Sequence, residues 1–143
     1  MLANLSRALR PVLVPVVLVA SLTACSDGGE GDTDIHDVTV GESFRYDGFE
    51  VADGWKLESY ETTYGAEKED APRLVGEVTN LGDSARPALF RVIFYSGDTQ
   101  LAQINCSTDE LGPDETGPMR CPGIGQLFPT EYDSALVGPI ERR

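Results

Sequence analysis

Three cysteines and one histidine carry the most distinctive chemistry of this sequence. Cys25 ends an N-terminal segment in which Arg7 and Arg10 precede an uninterrupted apolar stretch, residues 11–20, followed by small residues. That order of charged, apolar and small residues is typical of an export signal. The apolar stretch has ten residues, whereas a helix that crosses a bilayer needs about 20. The sequence therefore predicts an exported protein with Cys25 at the end of the signal.

The run Leu22-Thr23-Ala24-Cys25 resembles the lipobox of bacterial lipoproteins. The resemblance implies that a diacylglyceryl group is attached to the thiol of Cys25 and that a signal peptidase removes residues 1–24. Two acyl chains anchor a protein stably, whereas one gives only marginal binding. We expect a lipoprotein on the cell membrane, facing the extracytoplasmic side, with the membrane as its partner through Cys25. A signal cut at an ordinary small-residue site and an apolar core segment are the alternatives.

Cys106 and Cys121 are the cysteines that remain once Cys25 is lipidated. An exported domain lies in an oxidising compartment, where a lone pair of cysteines usually forms a disulfide. The bond would close a loop of roughly 15 residues and contribute about 3 kcal/mol in the chain-entropy model. A metal pair or a redox couple is the alternative, but the sequence has no C-x-x-C motif and no histidine beside either cysteine.

Residues for catalysis or metal binding are scarce. His36 is the only histidine and is predicted to be solvated, on mobile chain without the rigid support that a Ser-His-Asp site needs. Zinc requires three or four nitrogen or sulfur ligands, and no glycine-rich phosphate loop precedes a predicted helix. With 24 acidic residues, some pair of carboxylates is expected to be close by chance. The sequence thus predicts no enzyme, no catalytic or metal residue and no cofactor.

The chain is strongly acidic. Its 143 residues carry a net charge of −13, which becomes −15 without residues 1–24 because that segment holds two arginines and no acid. Such a surface repels nucleic acid and the phosphates of an anionic membrane. We expect no nucleic-acid partner and a soluble body that stays off the lipid.

The composition divides the chain into three parts. Residues 1–24 form the signal peptide, and residues 25–36 comprise the lipidated cysteine and an acidic spacer. Residues 26–34 contain three glycines and no apolar side chain, so they cannot bury enough surface to fold and are expected to be flexible. Residues 37–143 are the predicted folded domain, of ordinary single-domain length.

Short apolar–polar alternations punctuated by turn residues fill that domain. Residues 44–46 and 49–51 flank Asp47-Gly48, which is a typical hairpin turn. The predicted fold class is all-β: an immunoglobulin-like antiparallel β-sandwich of about seven to nine strands. Trp55, Phe90 and Phe94 are predicted core residues, and Tyr60 and Tyr64 are the candidates for an aromatic ligand platform. The remaining strands are predicted over residues 55–60, 73–80, 88–95, 101–106, 119–121 and 132–137.

Three runs of sequence, residues 75–82, 90–101 and 111–115, follow one another in a recognisable order. They resemble the immunoglobulin-like domains of bacterial lipoproteins in the FxLYD and DUF4352 (telokin-like) group, over roughly residues 38–137. Residues 40–44 look like the opening strand of that group. The chain differs in having Asp114 where the group often has a loop glycine, and in its Cys106–Cys121 pair. The resemblance implies an extracytoplasmic, non-catalytic module for contact or binding.

Three functions compete at this stage. The leading one is a lipid-anchored, non-catalytic module that binds another envelope protein or polymer through a sheet edge or a loop cluster. The alternative is a substrate- or ion-binding lipoprotein that delivers a small ligand to a membrane transporter, which predicts an apolar pocket with convergent polar groups. An enzyme using surface carboxylates is third, and requires a cleft with two carboxylates about 5–9 Å apart.

Overall fold

The computed structural model of the chain describes residues 32–64 and 66–141. The predicted signal peptide, residues 1–24, and the predicted lipidation site Cys25 lie outside these residues. The described chain has no helix and contains nine β-strands, all paired antiparallel. The strands are β1 (His36–Val38), β2 (Phe44–Tyr46), β3 (Phe49–Val51), β4 (Lys56–Tyr64), β5 (Glu67–Asn80), β6 (Arg86–Ser96), β7 (Thr99–Leu111), β8 (Thr116–Pro122) and β9 (Ser134–Gly138).

The strands form two sheets that pack face to face. The four-stranded sheet has the order β1-β9-β6-β7, and the five-stranded sheet has the order β2-β3-β5-β4 with β8 also paired to β5. β3 and β4 pair with one edge of β5. β8 pairs with the other edge, because residues of β5 that pair with β8 also pair with β3 or β4. The predicted antiparallel β-sandwich is confirmed at the level of its architecture.

The Asp47-Gly48 turn joins β2 and β3 as predicted. Its two residues have φ values of 47° and 72°. Positive φ at both central residues is the requirement of a type I′ turn, whose twist matches that of the flanking strands. Asp and Gly tolerate positive φ better than most residues, so the Asp47-Gly48 pair was sufficient to locate the hairpin.

Alternation in β5 and β6 places one face of each strand in the core. Leu74 and Val78 of β5 are fully buried, as are Val92 and Phe94 of β6. Trp55 packs edge-on against Phe44, with ring centroids 5.4 Å apart. The predicted core residues are confirmed. The core comprises Phe44, Tyr46, Phe49, Val51, Trp55, Leu74, Val78, Ala88, Phe90, Val92, Phe94, Ala102, Ile104, Cys106, Leu111, Met119, Cys121, Ala135 and Val137.

The segment 40–44, expected to be an opening strand, is a turn up to Ser43, and β2 begins only at Phe44. Gly41 has a φ of 94°, which a strand residue does not adopt, and the amide of Glu42 donates to the carbonyl of Thr39 at 3.0 Å. The turn brings the carbonyl of Glu42 within 2.6 Å of the indole nitrogen of Trp55. It thereby satisfies the one polar group of a buried tryptophan.

The two ends of the sandwich differ. At one end, β1 begins at His36, one residue before the predicted domain, and the amide of Asp47 donates to the carbonyl of Asp32 at 2.9 Å. β5 ends here at Asn80, and the amide of Leu81 donates to Gly48. We call this the tether end, because Asp32 is the described residue nearest in sequence to Cys25.

Toward the other end, β4 and β5 continue as a two-stranded ribbon. Residues 61–64 of β4 pair with residues 67–70 of β5, and the latter are exposed along their whole length. We call this ribbon the arm. Asn80 at the tether end lies ten positions after Asp70 of the arm along a single strand, which corresponds to roughly 33 Å at about 3.3 Å per residue.

Candidate interaction surface

The predicted cysteine pair joins the two sheets. Cys106 lies in β7 of the four-stranded sheet and Cys121 in β8 of the five-stranded sheet, with their Cα atoms 4.9 Å apart and their sulfurs bonded. Both side chains are buried. The two strands are neighbours across the sandwich rather than within one sheet.

His36 differs from its expected setting. It begins β1, and its side chain is half-buried, with Nδ1 2.9 Å from the carbonyl oxygen of Asp34. Its ring centroid is 6.3 Å from that of Tyr46. Among the residues that the structure describes, no three of the His, Cys, Asp and Glu side chains come together in a group able to hold a metal ion.

Within residues 32–64 and 66–141, no helix has the length and apolar character needed to cross a membrane.

A loop after β8, residues 123–131, is fixed alongside the arm. The amide of Gly123 donates to the carbonyl of Pro72 at 2.8 Å, and that of Phe128 donates to Asp70 at 3.2 Å. The side chain of Gln126 accepts from the amide of Gln103 in β7 at 3.2 Å. The loop is therefore held by both sheets, in the half of the molecule away from the tether end.

Two large apolar side chains of this loop face solvent. Ile124 is 79% exposed and Leu127 is 68% exposed, the highest values for large apolar residues in the described chain. A single exposed apolar residue needs no explanation, but two within four residues of one restrained loop mark a candidate contact site.

Acidic residues of the arm border the loop. Glu69 lines a shallow depression of about 290 Å³ together with Leu127, and Asp70 is bonded to the loop through its carbonyl. Lys68 pairs with Glu61 across the arm at 2.8 Å. On its other side, Ile124 borders a depression of about 260 Å³ that Arg120 and the outward residues of β7 also line. We call the arm together with residues 123–128 the distal surface.

A second concave region lies on the outer face of the five-stranded sheet. This groove of about 400 Å³ is lined partly by Glu58, Arg73 and Arg120. The carboxylate of Glu58 accepts from Lys56 at 2.6 Å and from Arg73 at 3.1 Å, and these bonds, that to Lys56 first, hold its pKa below the ordinary value. Arg73 also lies over the ring of Tyr60, 5.5 Å from its centroid. Tyr60 thus packs against an arginine, and the side chain of Tyr64 lies outside the described residues.

A third concave region, the cleft at the tether end, measures about 370 Å³ and is lined mainly by apolar atoms. Tyr46, Leu89, Pro139 and Ile140 form most of its wall. The hydroxyl of Tyr46 donates to the carbonyl of Thr33 at 3.2 Å. Burial, and then the charge of Asp47, raises the pKa of this hydroxyl.

The sequence analysis did not single out residues 123–128 as an interaction surface. The available signal was the run Gly123-Ile124-Gly125, an apolar residue between two glycines in a segment without strand alternation. Comparison of the chain with models of known protein families, with curated proteins and with solved structures finds no match.

Proposed function

We propose that the protein is a lipid-anchored, non-catalytic binding module of the cell envelope. Cys25 tethers it to the membrane on the extracytoplasmic side, and its distal surface contacts another envelope component. The observation that carries this proposal is the separation of the two ends: Asp32 lies at the tether end, whereas the exposed Ile124 and Leu127 lie on a loop bonded to the arm.

The charge of the molecule agrees with this arrangement. The chain carries 24 acidic and 11 basic residues, so an anionic lipid surface repels the domain. Two acyl chains provide the membrane attachment that the body itself lacks. The tether then sets where the domain lies, and the distal surface is left free for a partner.

Three residues of β5 within the runs that resemble the FxLYD and DUF4352 group have clear structural roles. A Cβ atom at Gly76 would lie 2.8 Å from the Cβ of Trp55, so only glycine lets the strand pass over that core residue. Val78 is fully buried and Asn80 ties two loops together. These contacts support membership of that group as part of the proposal.

The test uses the full chain and its Cys25→Ala variant in cells. We expect the wild-type chain to incorporate a labelled fatty acid, to fractionate with membranes and to be digested by protease added outside the membrane. Chemical crosslinking of the envelope is expected to yield an adduct that the Cys25→Ala variant does not form. A wild-type chain without lipid, or one whose adducts are the same as those of Cys25→Ala, contradicts the proposal.

Delivery of a small ligand is the second candidate, and the cleft at the tether end favours it. Its largely apolar wall, with the carboxylate of Asp47 at the edge, fits the expected form of a small-molecule site. Native mass spectrometry of the protein extracted from membranes tests this candidate. A co-purifying small molecule that Leu89→Trp removes supports it, and identical masses with and without that substitution count against it.

A further inference from the structure

We infer that the partner of the distal surface is a protein whose docking site is an apolar depression bordered by lysine and arginine side chains. The inference rests on the proposed function and adds the chemistry of the partner. It draws on three independent features of the distal surface: its exposed apolar side chains, its fixed backbone and its charge.

The apolar feature supplies the centre of the contact. Ile124 and Leu127 expose more of their side chains than any other large apolar residue described. Buried apolar side chains at the middle of an interface provide most of its binding energy, within a rim of polar contacts. Two protruding aliphatic side chains are complementary to a depression, which removes them from water.

The fixed backbone makes such a contact efficient. Hydrogen bonds hold the loop at Gly123 and Phe128, and a third joins Gln126 to β7. Gly125 has a φ of 69°, a conformation available to glycine at no steric cost, so the turn between the two apolar residues is strain-free. Because the loop is held in place before binding, little conformational entropy is lost when a partner docks.

The charge defines the rim. Side chains alternate along a strand, so the exposed Glu67 and Glu69 share one face of β5 in the arm, and Glu69 lines a depression together with Leu127. Lys68 is engaged with Glu61. The rim of the partner on the Glu69 side is therefore basic, because juxtaposed charges of like sign cost several kcal/mol. Arg120 lines the depression that Ile124 borders, so the basic rim is inferred for the Glu69 side alone.

The same charges argue against two other occupants. Anionic lipid headgroups face the acids of the arm unfavourably. A second copy of the chain brings its own excess of acids to the contact, 24 acidic against 11 basic residues. A protein surface with an apolar depression and a basic border is complementary both to the apolar side chains of the loop and to the acids of the arm.

Photocrosslinking in living cells tests the inference with the full chain. A photoreactive amino acid replaces Leu127, and in a matched chain it replaces Leu81, which is also an exposed leucine but lies at the tether end. We expect a protein adduct from position 127 and none of the same mass from position 81. Mapping the crosslinked peptide is expected to show apolar residues at the attachment point with lysine or arginine around them in the partner's structure.

Charge reversal provides the second arm of the experiment. The pair Glu67→Lys and Glu69→Lys, on one face of the arm, is introduced together with the probe at position 127, and the control chain carries Asp83→Lys and Glu110→Lys, which change the net charge equally at exposed sites elsewhere. We expect the reversal on the arm to lower the adduct yield by about tenfold or more, the effect of about 1.4 kcal/mol. The control is expected to leave the yield within about twofold.

The outcomes separate this inference from the proposed function. Adducts at position 127 with lipid, with a second copy of the chain, or with an acidic surface overturn the inference. So does a yield that both charge-reversal chains lower equally. If position 127 gives no adduct while position 81 does, the inference fails together with the assignment of the contact to the distal surface, and the lipid-anchored binding module stands with its contact at the tether end. If neither position gives an adduct and chemical crosslinking also gives none, both fail.

Discussion

Asn80 closes two loops of the sandwich through one side chain. Its Nδ2 donates to the carbonyls of Ser84 and Leu111, each at 2.8 Å, and its Oδ1 accepts from the amide of Gly82 at 2.9 Å. The residue is fully buried, and of its three bonds the one to Leu111 is buried as well, so Asn80→Ala leaves the carbonyl of Leu111 without this partner and out of reach of water. We expect a loss of about 1–3 kcal/mol in the free energy of unfolding, measured by urea denaturation, the cost of one buried unpaired group.

A matched control for that prediction is Thr79→Ala. The hydroxyl of Thr79 is bonded to that of Thr116 at 2.7 Å, but at an exposed position. Its loss is expected to cost less than about 1 kcal/mol. Equal losses for the two variants would mean that the loops are held by their backbones and not by Asn80.

Asp114 adopts a φ of 58°, in the left-handed region. The position at which the chain departs from the FxLYD and DUF4352 pattern is therefore one where glycine has a conformational advantage. A non-glycine residue in this region costs about 1–2 kcal/mol, and aspartate is less unfavourable there than alanine. We expect Asp114→Gly to unfold at a urea concentration equal to or above that of the wild type, and Asp114→Ala to lose about 1 kcal/mol. The reverse order of the two variants contradicts this explanation.

Tyr46 makes the fold sensitive to alkaline pH. Burial raises its pKa above the ordinary value of 10.0, so above that pH the unfolded chain has lost a proton that the folded chain retains. The free energy of unfolding consequently falls as the pH rises through and above about 10. We expect Tyr46→Phe to lose about 1 kcal/mol at neutral pH, with the hydrogen bond to Thr33, and to show a weaker decline at alkaline pH. If the free energy of unfolding falls equally with pH in the wild type and in Tyr46→Phe, Tyr46 is not the cause of the alkaline sensitivity.

At the scale of the elements, the Cys106–Cys121 bond links β7 to β8 across the sandwich. The two cysteines are 15 positions apart, so the disulfide constrains the unfolded chain by about 3 kcal/mol. We expect the Cys106→Ala, Cys121→Ala double variant to lose roughly that amount in urea denaturation. Reducing agent is expected to destabilise the wild type similarly and to leave the double variant unchanged. Two titratable thiols in the folded, unreduced protein would contradict the pairing.

The strands that the sequence predicted well are those with a face in the core. β5 after Arg73 alternates as a strand covered on one side, whereas β6 is buried at every position from Phe90 to Phe94. β4 and β5 are longer than their predicted bounds and continue into the arm. No apolar period marks that extension, because residues 67–70 are exposed on both faces and select no apolar side chains. The exposure of residues 67–70 on both faces therefore explains why the sequence did not predict the arm, and it also makes the arm a candidate surface.

At the scale of the whole molecule, the sequence likewise could not predict which segments lie together at the candidate site. The sequence shows the two cysteines and the Gly123-Ile124-Gly125 run. It does not show which residues lie next to them in space. Contact between Phe128 and Asp70 depends on the order of β8 and β5 within a sheet, and strand order is set by long-range packing that local alternation does not encode. The sequence therefore predicted a sandwich and a disulfide, and only the fold brings the apolar loop beside the acidic arm.

The separation of the two ends leads to a prediction about orientation at the membrane. If Cys25 tethers the chain as proposed, Leu81 lies on the side of the domain nearer the lipid, because its amide is bonded to Gly48 and the neighbouring Asp47 is bonded to Asp32. The acids of the arm are repelled by anionic headgroups, which directs the distal surface away from them. We expect a fluorophore on Leu81→Cys to be quenched more strongly than one on Leu127→Cys, with the lipidated chain in anionic liposomes that carry headgroup quenchers.

Salt and lipid charge provide the controls for that measurement. At 1 M ionic strength, screening reduces the range of the electrostatic repulsion to about 3 Å. High salt or neutral lipid is therefore expected to reduce the difference in quenching between positions 81 and 127. The Cys25→Ala chain is expected to show no quenching at either position, because a free acidic domain stays in solution. Stronger quenching at position 127 than at position 81 would mean that the apolar loop rests on the lipid. The distal surface would then be a membrane contact and not a site for a protein partner.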